Sequence, residues 1–189
     1  MAHANPLAHP LHIGHHRRTH SCLWVPRQPA RLVVRRPKLT IVSGGQTGVD
    51  RIALDWAIEH GCPHGGYCPK GRIAEDGVIP RKYNLMKTKS SRYPIRTRFN
   101  IIHSDCTLIL APLPLTGGTT LTAKYAEEER KVLFLLSPGF EHVDLHALHS
   151  FLAIRDSCKL NVAGPRLSQW QDSRDFVKKT LSRIFDFLG

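Results

Sequence analysis

The chain has 189 residues, 41% of them hydrophobic and 22% charged, which suits one globular domain with a buried core. No apolar run approaches the roughly 20 residues of a membrane helix. Five cysteines scattered along this length exclude a disulfide scaffold and fit a reducing, cytoplasmic setting. The net charge of +12 divides unevenly: residues 1–38 hold seven Lys/Arg, six His and no acid, and residues 39–189 hold 20 basic and 15 acidic side chains. So mildly basic a body suits a small anionic ligand as well as a polynucleotide.

Residues 1–38 contain Pro6, Pro10, Pro26, Pro29 and Pro37 and show no apolar period. They read as a disordered His/Pro/Arg-rich extension that cannot bury enough surface to offset its own ordering. Metal binding through the histidines and Cys22, a transit peptide and a nucleic-acid arm are weaker readings, because spacing, Ser content and an amphipathic face are all wanting. The folded domain is expected over 39–189.

Leu39-Thr40-Ile41-Val42 is a β-branched run that predicts a strand. A glycine loop, Ser43 to Gly48, leads from it into a helix from Val49 to Gly61. Positions 49, 52, 53, 56 and 57 repeat at three and four, giving one packing face. A weaker strand is expected near Gly65-Gly66-Tyr67. The stretch Gly65 to Pro80 is too rich in Gly and Pro for a regular element and reads as a functional loop. Cys106 to Ala111 predicts a strand, with the loop Leu115 to Thr120 and a helix from Leu121 to Arg130 behind it. Val132 to Leu136 predicts an apolar strand and Asp144 to Asp156 a helix. Lys159 to Ala163 predicts the last strand, followed by Gly164 to Ser168 and a helix from Asp172 to Leu188. Strands alternating with helices imply a three-layer α/β, Rossmann-like domain with a mostly parallel sheet of about five or more strands. Ligands of such sheets sit at the carboxyl ends of the strands, where all three loops lie.

The loops suit an anion. Gly44, Gly45, Gln46, Thr47 and Gly48 offer backbone N–H groups at a helix N-terminus, a cradle for phosphate. The spacing is neither the dinucleotide fingerprint nor a P-loop. Thr116, Gly117, Gly118 and Thr119 repeat the device with hydroxyls added. Arg166 adds a planar charged fork. Lys70 and Arg72 add positive charge in the long loop. Glu75 and Asp76 have two open roles there: accepting paired N–H donors from a guanine or pterin edge, or capping a turn. Cys62, Cys68 and Cys106 read as small buried thiols, since Cys62, His64 and Cys68 do not have metal-site spacing.

Ser43 to Arg51, Pro63 to Arg72, Ala74 to Gly77, Arg96-Thr97, Leu115 to Thr119 and Leu160 to Arg166 together resemble the molybdenum cofactor carrier family, of the lysine-decarboxylase-like (SLOG) superfamily. The likeness runs in order through about residues 39–189. It implies a Rossmann-like fold and a homo-oligomer, typically a tetramer. The implied function is non-catalytic: to bind, protect and deliver the molybdenum cofactor, an anionic phosphorylated pterin, between cofactor-synthesis proteins and molybdoenzymes. With the residue chemistry it makes Asn161, Gly164 and Ser168 further candidates for the site. The chain departs from the family pattern at Met86-Lys87-Thr88, Leu167-Ser168 and Gln171-Asp172-Ser173.

Two other functions in that superfamily are disfavoured. A nucleoside-monophosphate phosphoribohydrolase needs a glutamate after its glycine loop, and Thr116 to Ala123 holds no acid, the nearest being Glu127. Single-stranded nucleic-acid binding needs stacking aromatics along a basic groove. Trp56 and Phe99 read as core, which leaves few.

Overall fold

The computed structural model describes residues 38–140 and 142–188, with the side chains of 142–144 outside the description. The expected extension before Lys38 lies outside the described residues.

Nine strands and five helices follow one another along the described chain: β1 Lys38–Val42, α1 Val49–Glu59, β2 His64–Gly65, β3 Tyr67–Cys68, β4 Ile73–Ala74, β5 Gly77–Val78, β6 Met86–Lys87, α2 Tyr93–Ile102, β7 Cys106–Leu110, α3 Gly117–Glu128, β8 Val132–Leu136, α4 His142–Ala153, β9 Ser157–Ala163 and α5 Ser173–Phe187. Five strands form one sheet in the order β2-β1-β9-β7-β8, every neighbouring pair parallel. The three-layer α/β expectation is met. The last strand of the chain is the central one. Helix α1 follows β1 toward one edge and α3 follows β7 toward the other, so the crevice between them opens above the carboxyl end of β9.

The strand register explains the burial. Cys106, Leu108 and Leu110 of β7 pack with Leu160 and Val162 of β9 and with Val49, Ile52, Trp56, Leu148, Val177 and Leu181, in the core beneath α1, α4 and α5. Helices α2 and α3 pack on each other and approach β3, β7 and β8. Trp56 is fully buried, stacks on His60 at 4.3 Å, meets Phe185 edge-on at 5.6 Å and donates to Ser182 Oγ at 3.0 Å. It ties α1 to α5. Cys62, Cys68 and Cys106 are buried, as read. Among the described residues no helix is long and apolar enough to cross a membrane.

Several local expectations are corrected. The single strand near Gly65 to Tyr67 is two: β2 joins the main sheet, and β3 leaves it to pair with β6. The break falls at Gly66, where φ is 129° and a Cβ would lie 2.2 Å from the Ser43 carbonyl oxygen, so only glycine fits. The long loop contains an antiparallel hairpin, β4 with β5, whose two-residue turn is Glu75-Asp76. Helix α3 begins at Gly117, four residues before the expected start, because Thr116 C=O already accepts from Thr119 N–H at 3.1 Å. Helix α2 was not anticipated, although Pro94 stands in its first turn, where proline belongs. Strand β8 is apolar but lies at the sheet edge, leaving Val132 and Leu133 exposed. Phe99, expected in the core, is 39% exposed and leans on Tyr67 at 5.2 Å.

Truncating Trp56 to Ala empties the α1–α5 junction and should cost about 3–5 kcal/mol in urea unfolding. Trp56→Phe keeps most of the volume and should cost clearly less. Equal losses would mean that the Ser182 hydrogen bond, rather than packing, holds the junction.

Candidate functional site

Three loops leave the carboxyl ends of β1, β7 and β9, and each meets a different fate.

The β1 loop is turned inward. Residues Ser43 to Asp50 are all buried. Gln46 N–H donates to Asp50 Oδ2 at 3.3 Å, and Thr47 N–H donates to Gln46 Oε1 at 3.0 Å, which also receives Glu75 N–H at 2.9 Å. Val49 N–H, in the first turn of α1, donates to the Pro165 carbonyl at 3.2 Å. The chain thus supplies its own acceptors to this cradle. Asp50 is 3% exposed, and Arg96 Nη1 donates to its Oδ2 at 3.0 Å. Burial pushes the Asp50 carboxyl up, with the Arg96 charge and the Gln46 N–H pulling against it. The Arg96 guanidinium lies against the Gly44 backbone, where a Cβ would fall 1.6 Å from Nη1. That close approach explains the glycine.

The β7 loop is open. Gly117 and Gly118 are exposed in the first turn of α3, where helix geometry gives N–H groups no partner and no side chain caps them. A Cβ at Gly118 would meet nothing within 4 Å. Gly118 borders a pocket of about 150 Å³ whose lining also includes Asp50, Arg96, Thr119, Thr122, Gly164 and Arg166. Two guanidiniums and a helix N-terminus face one carboxylate that Arg96 already pairs. The pocket is electropositive.

The β9 loop is the rim between this pocket and a larger cavity of about 620 Å³, lined by Thr47, Gly48, Arg51, Glu75, Asp76, Ser168 and Arg174 among others. Glu75 clips the rim. Its Oε1 accepts from the Thr47 hydroxyl and from Ser168 N–H at 3.3 Å, its Oε2 from Ser168 Oγ at 2.7 Å, and Arg166 Nε stands 3.8 Å away. Asp76 receives both guanidinium nitrogens of Arg51, one at 3.1 Å. Burial would raise the Glu75 carboxyl, but the Thr47 and Ser168 hydrogen bonds and the Arg166 charge outweigh it and hold it below the usual range. The Arg51 hydrogen bond holds Asp76 low, against a smaller opposing effect of burial.

Of the residues singled out from sequence, Gly118, Thr119, Gly164, Arg166 and Gln46 meet at the smaller pocket, and Thr47, Gly48, Glu75, Asp76 and Ser168 at the larger cavity. Thr116 and Gly117 form the approach to α3. Arg72 is elsewhere: its guanidinium donates to the carbonyls of Ile79, Leu85, Pro80 and Tyr83. Lys70 is exposed and lines neither space, and Asn161 is buried with its Nδ2 donating to Thr107 Oγ1 at 3.1 Å. Asp50, Arg51, Arg96 and Arg174 were missed. Asp50 and Arg51 sit at a helix start where charge reads as ordinary dipole compensation. Arg96 belongs to the helix that was not anticipated.

The profile of the circularly permutated YpsA SLOG family matches residues 41–185. Among solved structures, the chain is similar to the 1.45 Å crystal structure of a protein from Syntrophus aciditrophicus SB named "Putative molybdenum carrier protein". The two are 35% identical, the match covers 79% of this chain and 96% of that one, and the TM-score is 0.67. No curated protein matches.

The depressed carboxyls of Glu75 and Asp76 give a pH signature. A carboxyl held low contributes stability that is fully present above its unfolded value, about 4, and lost as pH falls through the lower folded value. Thermal melts of Glu75→Gln beside the native chain should therefore differ most at neutral pH and converge in acid. A gap that does not change with pH would mean that the carboxylate's charge plays no part in the clip.

Proposed function

The chain belongs to the circularly permutated YpsA SLOG family, and from that premise we propose that it is a carrier that binds and hands over the molybdenum cofactor without turning it over. The phosphate of this cargo sits on the Gly117 and Gly118 amides, with Arg96 and Arg166 offsetting its charge. The pterin crosses the Arg166–Ser168 rim into the larger cavity, where Asp76, 49% exposed at its side chain, keeps lone pairs for the ring's paired donors. Arg174 and Arg51 stand nearby for the negatively charged molybdenum-oxo head. The carrier reading brings with it homotetrameric assembly, receipt from cofactor-synthesis proteins and delivery to molybdoenzymes.

The observation that carries this reading is the uncapped first turn of α3 facing two arginines in a pocket of phosphate size. A phosphate there gains from the Gly117 and Gly118 N–H groups, which have no helical partner, and from two guanidiniums already held nearby, Arg96 by Asp50 and Arg166 beside Glu75. The name of the similar Syntrophus protein points the same way.

A nucleoside-monophosphate phosphoribohydrolase is the second reading, and one observation favours it. Asp50, raised by burial, lines the same pocket and so is a candidate acid where the α3 loop has none. Its commitment to Arg96 and to Gln46 N–H weighs against that role. Glu127 is exposed and lines neither space.

Gly118→Leu puts its Cβ in open space at an exposed position, so the fold should survive while backbone approach is blocked and molybdopterin binding falls sharply. Arg166→Ala removes a charge-assisted contact of about 1.5–3 kcal/mol, or roughly 10- to 150-fold in affinity. Fluorescence titration with molybdopterin reads both. Unchanged affinities would place the ligand elsewhere, and release of base from a nucleoside monophosphate at an enzymatic rate would replace the carrier with the hydrolase.

A further inference from the structure

The positive charge of the folded body is not spread over it. Residues 77–104 contain Arg81, Lys82, Lys87, Lys89, Arg92, Arg96 and Arg98 and no acid, while the rest of residues 39–189 carries two more acids than bases. Three of the seven are used internally: Lys82 on Asp55, Arg96 on Asp50, and Arg98 on Glu128 and Glu129. Arg81, Lys87, Lys89 and Arg92 are exposed and make no ion pair among the described residues. Lys70 joins them, since its N–H donates to the Ser90 carbonyl at 2.9 Å.

This charge borders an apolar centre. Met86, 56% exposed, pairs in register with Tyr67 across β6 and β3. The Tyr67 ring meets Phe99 at 5.2 Å and His103 at 4.9 Å, and Phe99 and Ile102 are 39% and 40% exposed. A centre of Met and aromatic side chains with a charged border has the composition of a protein interface. Asp105, Glu128 and Glu129 stand at the carboxyl end of α2, but the border along β6 and the start of α2 carries only positive charge, so a partner seated there carries the opposite sign.

We propose that the β6–α2 face, with Met86, Tyr67 and Phe99 at its centre and Lys87, Lys89 and Arg92 on its border, docks an acidic surface of a partner protein. The inference rests on the carrier reading for its purpose: Tyr93 and Arg96 of the same helix line the ligand pocket, so a partner seated here adjoins the cargo.

Two other occupants fit less well. A second copy meeting this face across a two-fold axis would set Lys87, Lys89 and Arg92 against their own equivalents. A single strand of nucleic acid needs free ring faces, and Tyr67, Phe99 and His103 lie against one another.

The test titrates the full chain with a fluorescein-labelled Glu/Asp-rich peptide and, separately, with labelled single-stranded DNA and with molybdopterin. The K87E/K89E/R92E variant is compared with K179E/R183E, which reverses exposed charges on α5. Peptide affinity should fall about tenfold or more in the first variant and hold in the second. Molybdopterin affinity should be the same in both. No measurable peptide binding by the native chain, or equal losses in the two variants, would overturn the docking surface. Tighter binding of DNA than of peptide, lost with the same three residues, would overturn it in favour of a nucleic-acid face. If the native chain fails to bind molybdopterin yet peptide binding still depends on Lys87, Lys89 and Arg92, the cargo is wrong and the docking surface stands.

Discussion

The buried contact between Asp50 and Arg96 sets the geometry of the whole carboxyl edge. It joins the first turn of α1 to the middle of α2 across the Gly44 backbone, and both side chains are largely shielded from water. Breaking such a pair from one side leaves an uncompensated charge at a cost of about 3–5 kcal/mol. Its consequence for function is a division of labour between two helix ends. Asp50, Gln46 and the Pro165 carbonyl accept the Gln46, Thr47 and Val49 N–H groups, so that buried loop serves as an anchor. In the first turn of α3 the Thr116 carbonyl takes the Thr119 N–H, and the exposed Gly117 and Gly118 N–H groups are the ones the proposal leaves to an external anion.

The sheet order accounts for how those parts meet. With β9 central and last in the chain, the loop after it must pass between the ends of β1 and β7 before α5 returns beneath the sheet. Gly164 to Ser168 therefore forms a wall touching both α1 and the approach to α3. Glu75 reaches from the β4–β5 turn to hold that wall through Thr47 and Ser168. Carboxylates that looked free for ligand in the sequence are thus partly occupied by the protein itself. Asp76 has exposed lone pairs left, and Glu75 acts mainly as a clip.

Most of the fold was legible in the sequence because its signals are local. The apolar runs at β1, β7 and β9 and the three-and-four spacing of α1 each state their own element. Pieces defined by pairing were not legible: two-residue strands such as β3 and β6 show no period, and only their partner 18 or more residues away makes them strands. Helix α2 is ten residues with Pro94 in its first turn and only Asn100 and Ile101 buried, so no buried apolar stripe marks it in the sequence. The site divided the same way. The glycine loops led to the expectation of an anion site, but which loop faces outward depends on Arg96 reaching Asp50 across 46 positions. The hint lay in the family likeness, which takes in both Arg96-Thr97 and the stretch that ends in Asp50-Arg51.

The most direct measurement compares affinity for molybdopterin with affinity for its dephosphorylated form, on the native chain at fixed ionic strength. Removing the phosphate abolishes the charge that the proposal sets against the α3 amides, Arg96 and Arg166, and each charge-assisted contact is worth about 1.5–3 kcal/mol. Affinity should fall by about two orders of magnitude or more. Equal affinity for the two forms would contradict the assignment of the α3 pocket as the phosphate site and, with it, the central claim.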